Sequence, residues 1–415
     1  MKQALMIAAP MSGSGKTTVS RGLMALLTRR GYSVQPFKCG PDYIDTKFHG
    51  AVCGRPSVNL DTFMATPAHV VELFARYGRQ ADVAVVEGMM GLFDGYDRDR
   101  GSSAEIALTL GLPVVLVVDA RSAAYSMAAL LKGFVGFRDG LKIAGVIFNK
   151  VGSHRHAQML RQVCCDLQLC CLGCLPRQQS LEQASRYLGL DFSQSAEVEQ
   201  LVQLMEQHVD VDTLLSVSAC DVPPASPLQA ATVRGKVVVA RNAESCSFLY
   251  QEVLDRFERI VFFDPETEVP PLTDAQLLYL PGGYPEKHLQ ALAANGACLS
   301  AIRHFAGQGG RVVAECGGMM YLCRNIVSDE GDYAMCGVLP YTITARQCDR
   351  RLSLGYRCFT LDGRHYRGHE FHYTQFSGPA PRSACQVFNA RGEAVPTPVM
   401  KYNNVLASYT HLYTL

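Results

Sequence analysis

A chain of 415 residues, of which 48% are hydrophobic, is long enough to bury two or three ordinary cores. Its formal net charge of +1 gives no electrostatic indication of nucleic-acid binding or of an anionic membrane surface. No apolar run approaches the roughly 20 residues that a membrane-spanning helix needs. The apolar start LMIAAPMSG is followed at once by Lys16 in a phosphate-loop pattern, so we interpret it as a strand and expect a cytoplasmic protein.

Apolar runs alternate with helical patterns through the first half of the chain. ALMIAA predicts a strand, and the residues after it predict a helix that ends before Gly31, with an apolar stripe of Val19, Leu23, Leu26 and Leu27. Further buried strands are predicted at 83–87, 113–119 and 142–148. Continuous apolar strands between helices are typical of a parallel sheet that is covered on both faces.

A composition change marks the middle of the chain. The run SVSACDVPPASPLQAA at 217–232 is rich in Pro, Ser and Ala and predicts an interdomain linker. Strand patterns resume at 236–240, 259–263, 277–281 and 311–314. We therefore predict an α/β protein with a P-loop, parallel-sheet domain at 1–218, a linker at 219–233 and a second α/β domain at 234–415.

The motif PMSGSGKTT carries the GKT core of a phosphate-binding loop, although Pro10 stands where the usual first glycine would be. Gly13 and Gly15 let the backbone curl so that its N–H groups face phosphate oxygens, while Lys16 neutralises phosphate charge and the Thr17 hydroxyl reaches Mg²⁺. The predicted ATP-binding residues of this loop are Ser12, Gly13, Ser14, Gly15, Lys16, Thr17 and Thr18. The alternative is a glycine turn before an ordinary helix, and the position between a predicted strand and helix favours the phosphate loop.

Candidate partners for Mg²⁺ and the nucleotide follow other strands. Glu87 ends the apolar run VAVVE, and Asp42 and Asp45 lie in KCGPDYID. Each could also be a solvated loop carboxylate. Asn149 follows another strand and could hydrogen-bond a purine edge, or it could be a simple turn asparagine.

Sixteen cysteines in an intracellular chain predict reduced thiols rather than a disulfide framework. Their densest group comprises Cys164, Cys165, Cys170, Cys171 and Cys174. A metal or iron–sulfur site is an alternative, although the segment lacks a clean pair of CxxC units. We favour a buried strand in QLCCLGCLP, with cysteine acting as a small hydrophobic residue.

The motif RVVAECGGMMYL predicts a strand, a nucleophile at Cys316 and a helix. A thiol at a helix start is expected to have a lowered pKa. His411, at the end of a strand-like run, is the best candidate for its base. The N–H of Gly317, with one from Gly282 or Gly283 in LPGGYPE, could form an oxyanion hole.

Eight motifs in order over the whole length make this sequence closely similar to the cobyrinate a,c-diamide synthase family. They are APMSGSGKTT, KCGPDYID, VVEGMMGLFDG, NKVGS, GGYPE, AECGGMMYL, RGHEFHY and ASYTHLY. The resemblance implies an ATP-dependent synthetase domain related to dethiobiotin synthetase, followed by a class I glutamine amidotransferase domain.

The resemblance also implies roles for single residues. Cys316 would be the glutaminase nucleophile and His411 its base, with Gly283 and Gly317 at the oxyanion hole. Many class I glutaminases have an acid two residues after this histidine, where this chain has Tyr413, and Glu370 is a candidate replacement. On the ATP side, the implied phosphate contacts are Lys16 and Lys38, the Mg²⁺ ligands are Thr17, Asp45 and Glu87, and the adenine contact is Asn149.

The implied reaction is amidation of the a and c carboxylates of cobyrinate with ATP, Mg²⁺ and L-glutamine, through an acyl phosphate and ammonia that passes between domains. Hydrogenobyrinate and nickel-sirohydrochlorin are alternative substrates, since tetrapyrrole contacts have no short motif. Cobyric acid synthase amidates other corrin carboxylates, and KCGPDYID resembles the a,c-diamide family instead. An alternative from another functional class is a P-loop regulatory ATPase with a non-catalytic amidotransferase-like domain. The sequence also leaves open whether the protein forms a homo-oligomer.

Overall fold

A computed structural model describes residues 3–177, 195–220 and 233–413. The chain divides into two compact units, Met1–Leu228 and Gln229–Leu415. Most of the predicted linker at 219–233 lies outside the described residues, so its limits stay a prediction. Among the helices described, none combines the length and the apolar character that crossing a bilayer requires.

The first unit is built on a seven-stranded sheet in which every neighbouring pair is parallel. Its strands are β1 (Gln3–Ala8), β2 (Val34–Cys39), β3 (Val58–Leu60), β4 (Val83–Glu87), β5 (Val114–Asp119), β6 (Ile143–Val151) and β7 (Cys171–Pro176). Its described helices are α1 (Lys16–Arg29), α2 (Asp45–Cys53), α3 (Pro67–Gly78), α4 (Ser103–Leu110), α5 (Met127–Gly136), α6 (His154–Asp166), α7 (Ser195–His208) and α8 (Val211–Val217). The strands predicted from ALMIAA and QLCCLGCLP, and those predicted at 83–87, 113–119 and 142–148, are confirmed.

Helix α1 forms as its sequence predicts. Val19, Leu23, Leu26 and Leu27 are all buried in the core of the unit. The helix ends at Arg29, and Gly31 follows with φ +88°, a left-handed conformation that costs glycine little. Because the apolar stripe packs on the sheet, the amino end of α1 is held at the end of β1.

The strand order β3-β2-β4-β1-β5-β6-β7 places β1 in the interior of the sheet. The chain leaves β1 toward β2 on one side and later reaches β5 on the other side. In parallel sheets, ligands bind at the carboxyl ends of the strands where the connections diverge in this way. The loops after β1, β2, β4 and β6 therefore converge on one region.

The second unit has a six-stranded sheet with strands β8 (Val233–Ala240), β9 (Phe257–Phe263), β10 (Ala275–Leu280), β11 (Val312–Glu315), β20 (Val399–Tyr402) and β21 (Val405–Ser408). The strand order is β20-β21-β11-β10-β8-β9, and every neighbouring pair is parallel except β20–β21. The described helices of this unit are α9 (Gln251–Leu254), α10 (Leu289–Ala294), α11 (Gly296–Gly307) and α12 (Gly317–Leu322), with short 3₁₀ turns at Pro285–Lys287 and Gln347–Asp349. The predicted strands at 236–240, 259–263, 277–281 and 311–314 are confirmed.

Two smaller sheets complete the second unit. One contains β12 (Cys323–Val327), β13 (Asp332–Ala334), β14 (Leu339–Thr344) and β17 (Gln375–Phe376). The other contains β15 (Ser353–Leu361), β16 (Arg364–His372), β18 (Val387–Phe388), β19 (Ala394–Val395) and β22 (His411–Leu412). His411 lies opposite His369 in the antiparallel β16–β22 pair. The second sheet thus brings a histidine-bearing strand toward the end of β21.

Candidate active sites

The phosphate loop lies between β1 and α1 with the backbone that its glycines predict. Gly13 and Gly15 have φ +79° and +101°, which side chains on L-residues disfavour. The Ser14 hydroxyl donates to the carbonyl of Met11 at 2.8 Å and closes the turn. No side chain caps the first turn of α1, because Gly15 stands at the capping position. Free N–H groups at a helix start form an anion site.

Asn149 contacts the loop from β6. Its amide nitrogen donates to the carbonyl of Ser14 at 3.0 Å. A Cβ added to Gly15 would lie 2.1 Å from this nitrogen, so the close approach requires glycine. Its side-chain oxygen accepts from the N–H of Lys150 at 2.9 Å. Asn149 therefore supports the loop backbone, and its predicted contact with adenine stays a prediction.

Lys16 is buried at the start of α1, and its ammonium group donates to the carbonyl of Met90. Burial lowers the pKa of Lys16, and the nearby charge of Lys38 lowers it further. Ser12 is exposed, and Thr18 is half-buried on the first turn of the helix. These positions agree with a cationic loop around a phosphate group.

A cluster of charged groups surrounds Thr17. Its hydroxyl lies 2.7 Å from Glu87 Oε1 and 3.4 Å from Asp45 Oδ2. The Lys38 ammonium lies between the same two carboxylates, 2.5 Å from Asp45 Oδ2 and 2.9 Å from Glu87 Oε1. Asp42 is farther from Lys38, at 3.8 Å, and its other oxygen accepts from the backbone N–H groups of Ile44 and Asp45. The structure thus brings together Thr17, Lys38, Asp45 and Glu87.

The pKa values of this cluster follow from burial and from its charges. Burial would lower the pKa of Lys38, but the carboxylates of Glu87, Asp42 and Asp45 outweigh it and hold this pKa well above its usual value. Burial and the neighbouring carboxylates raise the pKa of Asp45. Burial opposes ionisation of Glu87 too, yet Lys38 and His49 lower its pKa. Lys38 therefore compensates two carboxylates that repel each other.

Residues outside the predicted set also hold this cluster. The fully buried His49 on α2 lies 2.7 Å from Glu87 Oε2 and 3.2 Å from Ser57 Oγ through its two ring nitrogens. Asn59 on β3 donates to the carbonyls of Gly40 and Asp42 and fixes the loop after β2. The only sequence signal for His49 was its spacing of four residues from Asp45 on a helix.

Cys316 occupies a sharp turn between β11 and α12. Its backbone has φ 46° and ψ −109°, an uncommon conformation for a residue with a side chain, as expected at a nucleophile elbow. Its N–H donates to the carbonyl of Ser408 at 2.8 Å. A Cβ on Gly318 would lie 2.1 Å from the carbonyl oxygen of Leu280, so α12 starts directly against the end of β10. The predicted strand, turn and helix are confirmed.

The expectation of a lowered pKa for Cys316 is wrong. Cys316 is buried, and its thiol lies 3.8 Å from the carbonyl of Phe371, an acceptor that favours the protonated form. Burial raises its pKa, and the carboxylate of Glu286 adds to the shift. The six-residue helix α12 does not offset these effects. The thiolate therefore has to form by proton transfer to a base.

The glycine turn after β10 lies between the elbow and His411. A Cβ on Gly317 would lie 3.0 Å from both the nitrogen and the oxygen of Gly283, so the two predicted oxyanion-hole residues are adjacent. A Cβ on Gly282 would lie 2.1 Å from Cε1 of His411, so the imidazole packs directly on this glycine. The carbonyl of Gly282 accepts from the N–H groups of Ser247 and Phe248, each at 2.9 Å. These bonds fix the turn.

The order of residues along the sheet brings His411 toward Cys316. Glu315 is in register with Ser408 on β21, and Ser408 accepts from Cys316. His411 follows Ser408 after two residues and is fully buried. Burial lowers the pKa of His411 to about 3, with smaller effects from His369 and His372. His411 is therefore neutral at physiological pH, as a base must be before it accepts a proton.

Comparisons with known proteins agree in both units. Residues 5–188 match the CobQ/CobB/MinD/ParA nucleotide binding domain, and residues 237–415 match the CobB/CobQ-like glutamine amidotransferase domain. Hydrogenobyrinate a,c-diamide synthase of Rhodobacter capsulatus is 39% identical, with 99% of this chain and 98% of that protein covered. Cobyrinate a,c-diamide synthase of Salmonella typhimurium is 38% identical, with 99% and 95% covered.

The chain belongs to the cobyrinate/hydrogenobyrinate a,c-diamide synthase family.

Among solved structures, the cell division ATPase MinD of Pyrococcus furiosus is similar over 52% of this chain and 100% of its own, with 17% identity and a TM-score of 0.33. At this identity and TM-score, the similarity to MinD supports no assignment of function. The family assignment instead rests on the full-length relatives.

In this member of the a,c-diamide synthase family, Glu370, the candidate replacement for the missing acid, is bonded to groups other than the histidine base. It accepts from Arg357 at 2.7 Å, from Thr397 at 2.7 Å, from Ser353 at 2.6 Å and lies 2.9 Å from His372. Burial opposes its ionisation, but His372 and Arg357 lower its pKa to about 2. Glu370 is therefore a carboxylate that holds β15, β16 and the segment around Thr397 together.

A different acid lies near the base. Nδ1 of His411 is 4.0 Å from Oε2 of Glu315, the residue before the nucleophile. Tyr413 packs edge-on against Tyr250 with ring centroids 5.2 Å apart. Glu315 was not among the predicted site residues, because a glutamate at the end of a strand has no local pattern that points to a histidine far along the chain.

The five-cysteine group divides between two elements of the first unit. Cys164 and Cys165 lie on α6, while Cys171 and Cys174 lie on β7 and Cys170 precedes it. Cys164 and Cys174 are buried, as a small hydrophobic residue would be. In residues 3–177, 195–220 and 233–413, no group of three or more His, Cys, Asp or Glu side chains is arranged to hold a metal ion.

Proposed function

We propose that this protein amidates the a and c carboxylates of cobyrinate or hydrogenobyrinate, with ATP as the activating substrate and glutamine as the nitrogen donor. The observation that carries this proposal is the match over nearly the full length of both chains to relatives named for this reaction. The two sets of residues described above supply chemistry that fits it.

The first unit would activate the acceptor. A carboxylate reacts poorly with ammonia because its leaving group would be oxide. Transfer of the γ-phosphoryl group of ATP to a carboxylate oxygen makes an acyl phosphate, and ADP leaves. Lys16 and the N–H groups of Gly13–Thr18 would stabilise the charge on the phosphates. Ammonia then attacks the acyl carbon, phosphate leaves, and loss of a proton from nitrogen gives the amide.

The arrangement around Thr17 fits a magnesium ion. The Lys38 ammonium lies between the carboxylates of Asp45 and Glu87, where a positive charge is needed, and the Thr17 hydroxyl reaches both acids. Hydroxyl and carboxylate oxygens are the ligands that Mg²⁺ takes when it also binds phosphates. Thr17, Asp45 and Glu87 would hold the ion, which neutralises phosphate charge when bound. Lys38 would then turn toward a phosphate, as the family resemblance implies.

The second unit would release the nitrogen. His411 takes the proton of the Cys316 thiol as sulfur attacks the side-chain amide carbon of glutamine. The N–H groups of Gly283 and Gly317 stabilise the resulting oxyanion. The proton then passes from His411 to the departing nitrogen, ammonia leaves, and a thioester remains. Water hydrolyses the thioester to glutamate and restores the thiol.

Mass spectrometry of the tetrapyrrole tests the assignment. The protein is incubated with ATP, Mg²⁺ and glutamine and with cobyrinate, hydrogenobyrinate or nickel-sirohydrochlorin in separate reactions. Two successive mass changes, each matching the exchange of a hydroxyl for an amino group, identify the substrate. ATP hydrolysis without an amidated product from any of the three would refute the proposal and favour a regulatory ATPase.

Two variants test the division of labour. Cys316→Ala should lose synthesis with glutamine but keep synthesis with ammonium salts, because only the nitrogen source is removed. Cys298→Ala, which removes another buried thiol from the same unit, should keep both. Lys16→Ala should abolish synthesis with either nitrogen source. Synthesis from glutamine by Cys316→Ala, or from either source by Lys16→Ala, would contradict the assigned roles.

A further inference from the structure

The histidine base of the second unit faces a carboxylate to which the proposed function gives no role. Oε2 of Glu315 lies 4.0 Å from Nδ1 of His411, and both side chains are almost completely buried. This distance suits an ion pair and is longer than a hydrogen bond. Catalytic hydrogen bonds are often long in proteins without substrate and shorten when substrate binds.

Glu315 is held in place by two donors. The Tyr279 hydroxyl donates to Oε2 at 2.8 Å, and the N–H of Leu412 donates to Oε1 at 3.2 Å. Leu412 is the neighbour of His411 on β22, so one of these bonds ties the carboxylate to the backbone of the base itself. Glu315 also ends β11 directly before Cys316. A single short segment therefore fixes the nucleophile and the acid relative to the histidine.

We propose that Glu315 is the positioning residue of the glutaminase site: its carboxylate accepts the Nδ1–H of His411 and stabilises the imidazolium that forms when Cys316 is deprotonated. This inference rests on the proposed glutaminase role of Cys316 and His411. It assigns Glu315 the part that an acid two residues after the histidine has in many class I glutaminases, where this chain has Tyr413.

One proton moves from the Cys316 thiol to His411 and then to the leaving nitrogen of glutamine. With Nδ1 protonated toward Glu315, Nε2 of His411 carries the lone pair that takes the thiol proton as the carbon–sulfur bond forms. The carbon–nitrogen bond then breaks, and the same proton moves from Nε2 to the leaving nitrogen. Glu315 keeps its charge throughout and exchanges no proton with glutamine.

Glu370 is the rival acid, and its contacts argue against it. Its two oxygens are already occupied by Arg357, Thr397, Ser353 and His372. Glu315, by contrast, has a neutral hydroxyl and a backbone N–H as its hydrogen-bond donors. A buried carboxylate that is hydrogen-bonded only by neutral groups is stabilised most strongly when an imidazolium forms beside it.

The pH dependence follows from the groups around Glu315. Burial raises its pKa to about 8, while hydrogen bonds from Tyr279 on β10 and from the N–H of Leu412 act to lower it. His411 faces it from β22, and His369, His372 and Glu370 face His411 from β16. Since the proposed role needs the carboxylate, glutamine hydrolysis should rise with pH through a value near 8.

The test measures glutamate release from glutamine across pH in the full chain, with ATP and tetrapyrrole present. Glu315→Gln should lower kcat by at least about tenfold, leave KM for glutamine within about twofold and remove the rise near pH 8. Tyr279→Phe keeps the carboxylate but removes a bond that lowers its pKa, so the rise should move to higher pH. Glu252→Gln, a change at another buried glutamate of this unit, should keep the wild-type profile.

The results for these variants decide whether Glu315 has the proposed role. A Glu315→Gln enzyme with the wild-type kcat and the same rise near pH 8 would overturn the inference. If Glu315→Gln does not fold, as judged by circular dichroism, Tyr279→Phe decides: an unmoved profile overturns the inference. Failure of the proposed function looks different, because the wild-type protein would then release glutamate without amidating any tetrapyrrole, or would release none.

Discussion

Replacing Lys38 with methionine removes the ammonium group between Asp45 and Glu87. Lys38 is only 4% exposed and Glu87 is fully buried, while Asp45 is 16% exposed. Methionine has a similar length, so the change removes charge with little loss of volume. Asp45 and Glu87 then repel each other without the lysine between them, while His49 still lies 2.7 Å from Glu87. Breaking a buried ion pair in this way costs about 3 kcal/mol at the lower end of its usual range.

The size of the effect can be converted into a melting temperature. For a unit of this size, a loss of about 3 kcal/mol lowers the unfolding temperature by roughly 6–12 °C. Calorimetry of the full chain should show this in the transition that MgATP shifts, since ligand binding stabilises the unit that binds it. Added Mg²⁺ should stabilise Lys38→Met more than the wild type, because the ion replaces the missing charge.

The effect should also depend on pH. Burial and the neighbouring carboxylates already raise the pKa of Asp45, and removal of Lys38 should raise it further above its value in the unfolded chain. A group with a raised pKa favours the folded state below its unfolded pKa, and this contribution is lost as pH rises through the folded value. Lys38→Met should therefore lose less stability at pH 5 than at pH 7.

A matched control lies at the same edge of the sheet. Lys150 pairs with Asp119 at 3.1 Å, but Asp119 also keeps Arg121 at 2.8 Å. Lys150→Met therefore leaves no carboxylate uncompensated and should cost less than about 1 kcal/mol. If Lys38→Met unfolds at the wild-type temperature, or if Mg²⁺ stabilises both proteins equally, the ion-pair argument is refuted.

Three further changes test other contacts. Gly282→Ala should lower glutamine-dependent synthesis by at least about tenfold and spare ammonium-dependent synthesis, because the new Cβ would lie 2.1 Å from Cε1 of His411. Gly15→Ala should weaken ATP binding, measured by calorimetric titration, because its Cβ would lie 2.1 Å from Asn149 and its φ is +101°. Glu370→Gln should lower stability at neutral pH by about 3 kcal/mol, because it leaves a buried arginine without its partner. The pKa of Glu370 is lowered to about 2 in the folded protein. The difference in unfolding free energy between wild type and Glu370→Gln should therefore shrink as pH falls from the pKa of glutamate in the unfolded chain toward 2.

The glycine predictions have matched controls. Gly296→Ala adds a methyl group with nothing within 4 Å in the same unit, and it should leave synthesis unchanged. Gly31→Ala has a similar positive φ of +88° and open space around it, so it separates backbone strain from the clash at Asn149. If Gly282→Ala has wild-type glutaminase activity, or if Gly31→Ala weakens ATP binding as much as Gly15→Ala, the proposed contacts are wrong. Equal stability of Glu370→Gln and wild type at pH 7 would contradict the structural role of Glu370.

Local sequence patterns were sufficient to predict the fold class and the two reactive motifs. Alternating apolar strands and helices predicted parallel sheets, since buried strands need side chains without charge on both faces. The glycines around Lys16 and the strand-to-helix turn at Cys316 were readable because a phosphate loop and a nucleophile elbow each use consecutive residues.

The sequence by itself determined these local devices, their order and the family to which they point. Only the tertiary structure decided which distant groups meet them: Lys38 lies between Asp45 and Glu87, and Glu315 lies 4.0 Å from His411, whereas Glu370 is bonded to Arg357 and His372. It also reversed the expected pKa shift of Cys316, because burial is a property of the packed molecule. The physical reason is that strand register and packing set distances between remote residues, and no local periodicity encodes them.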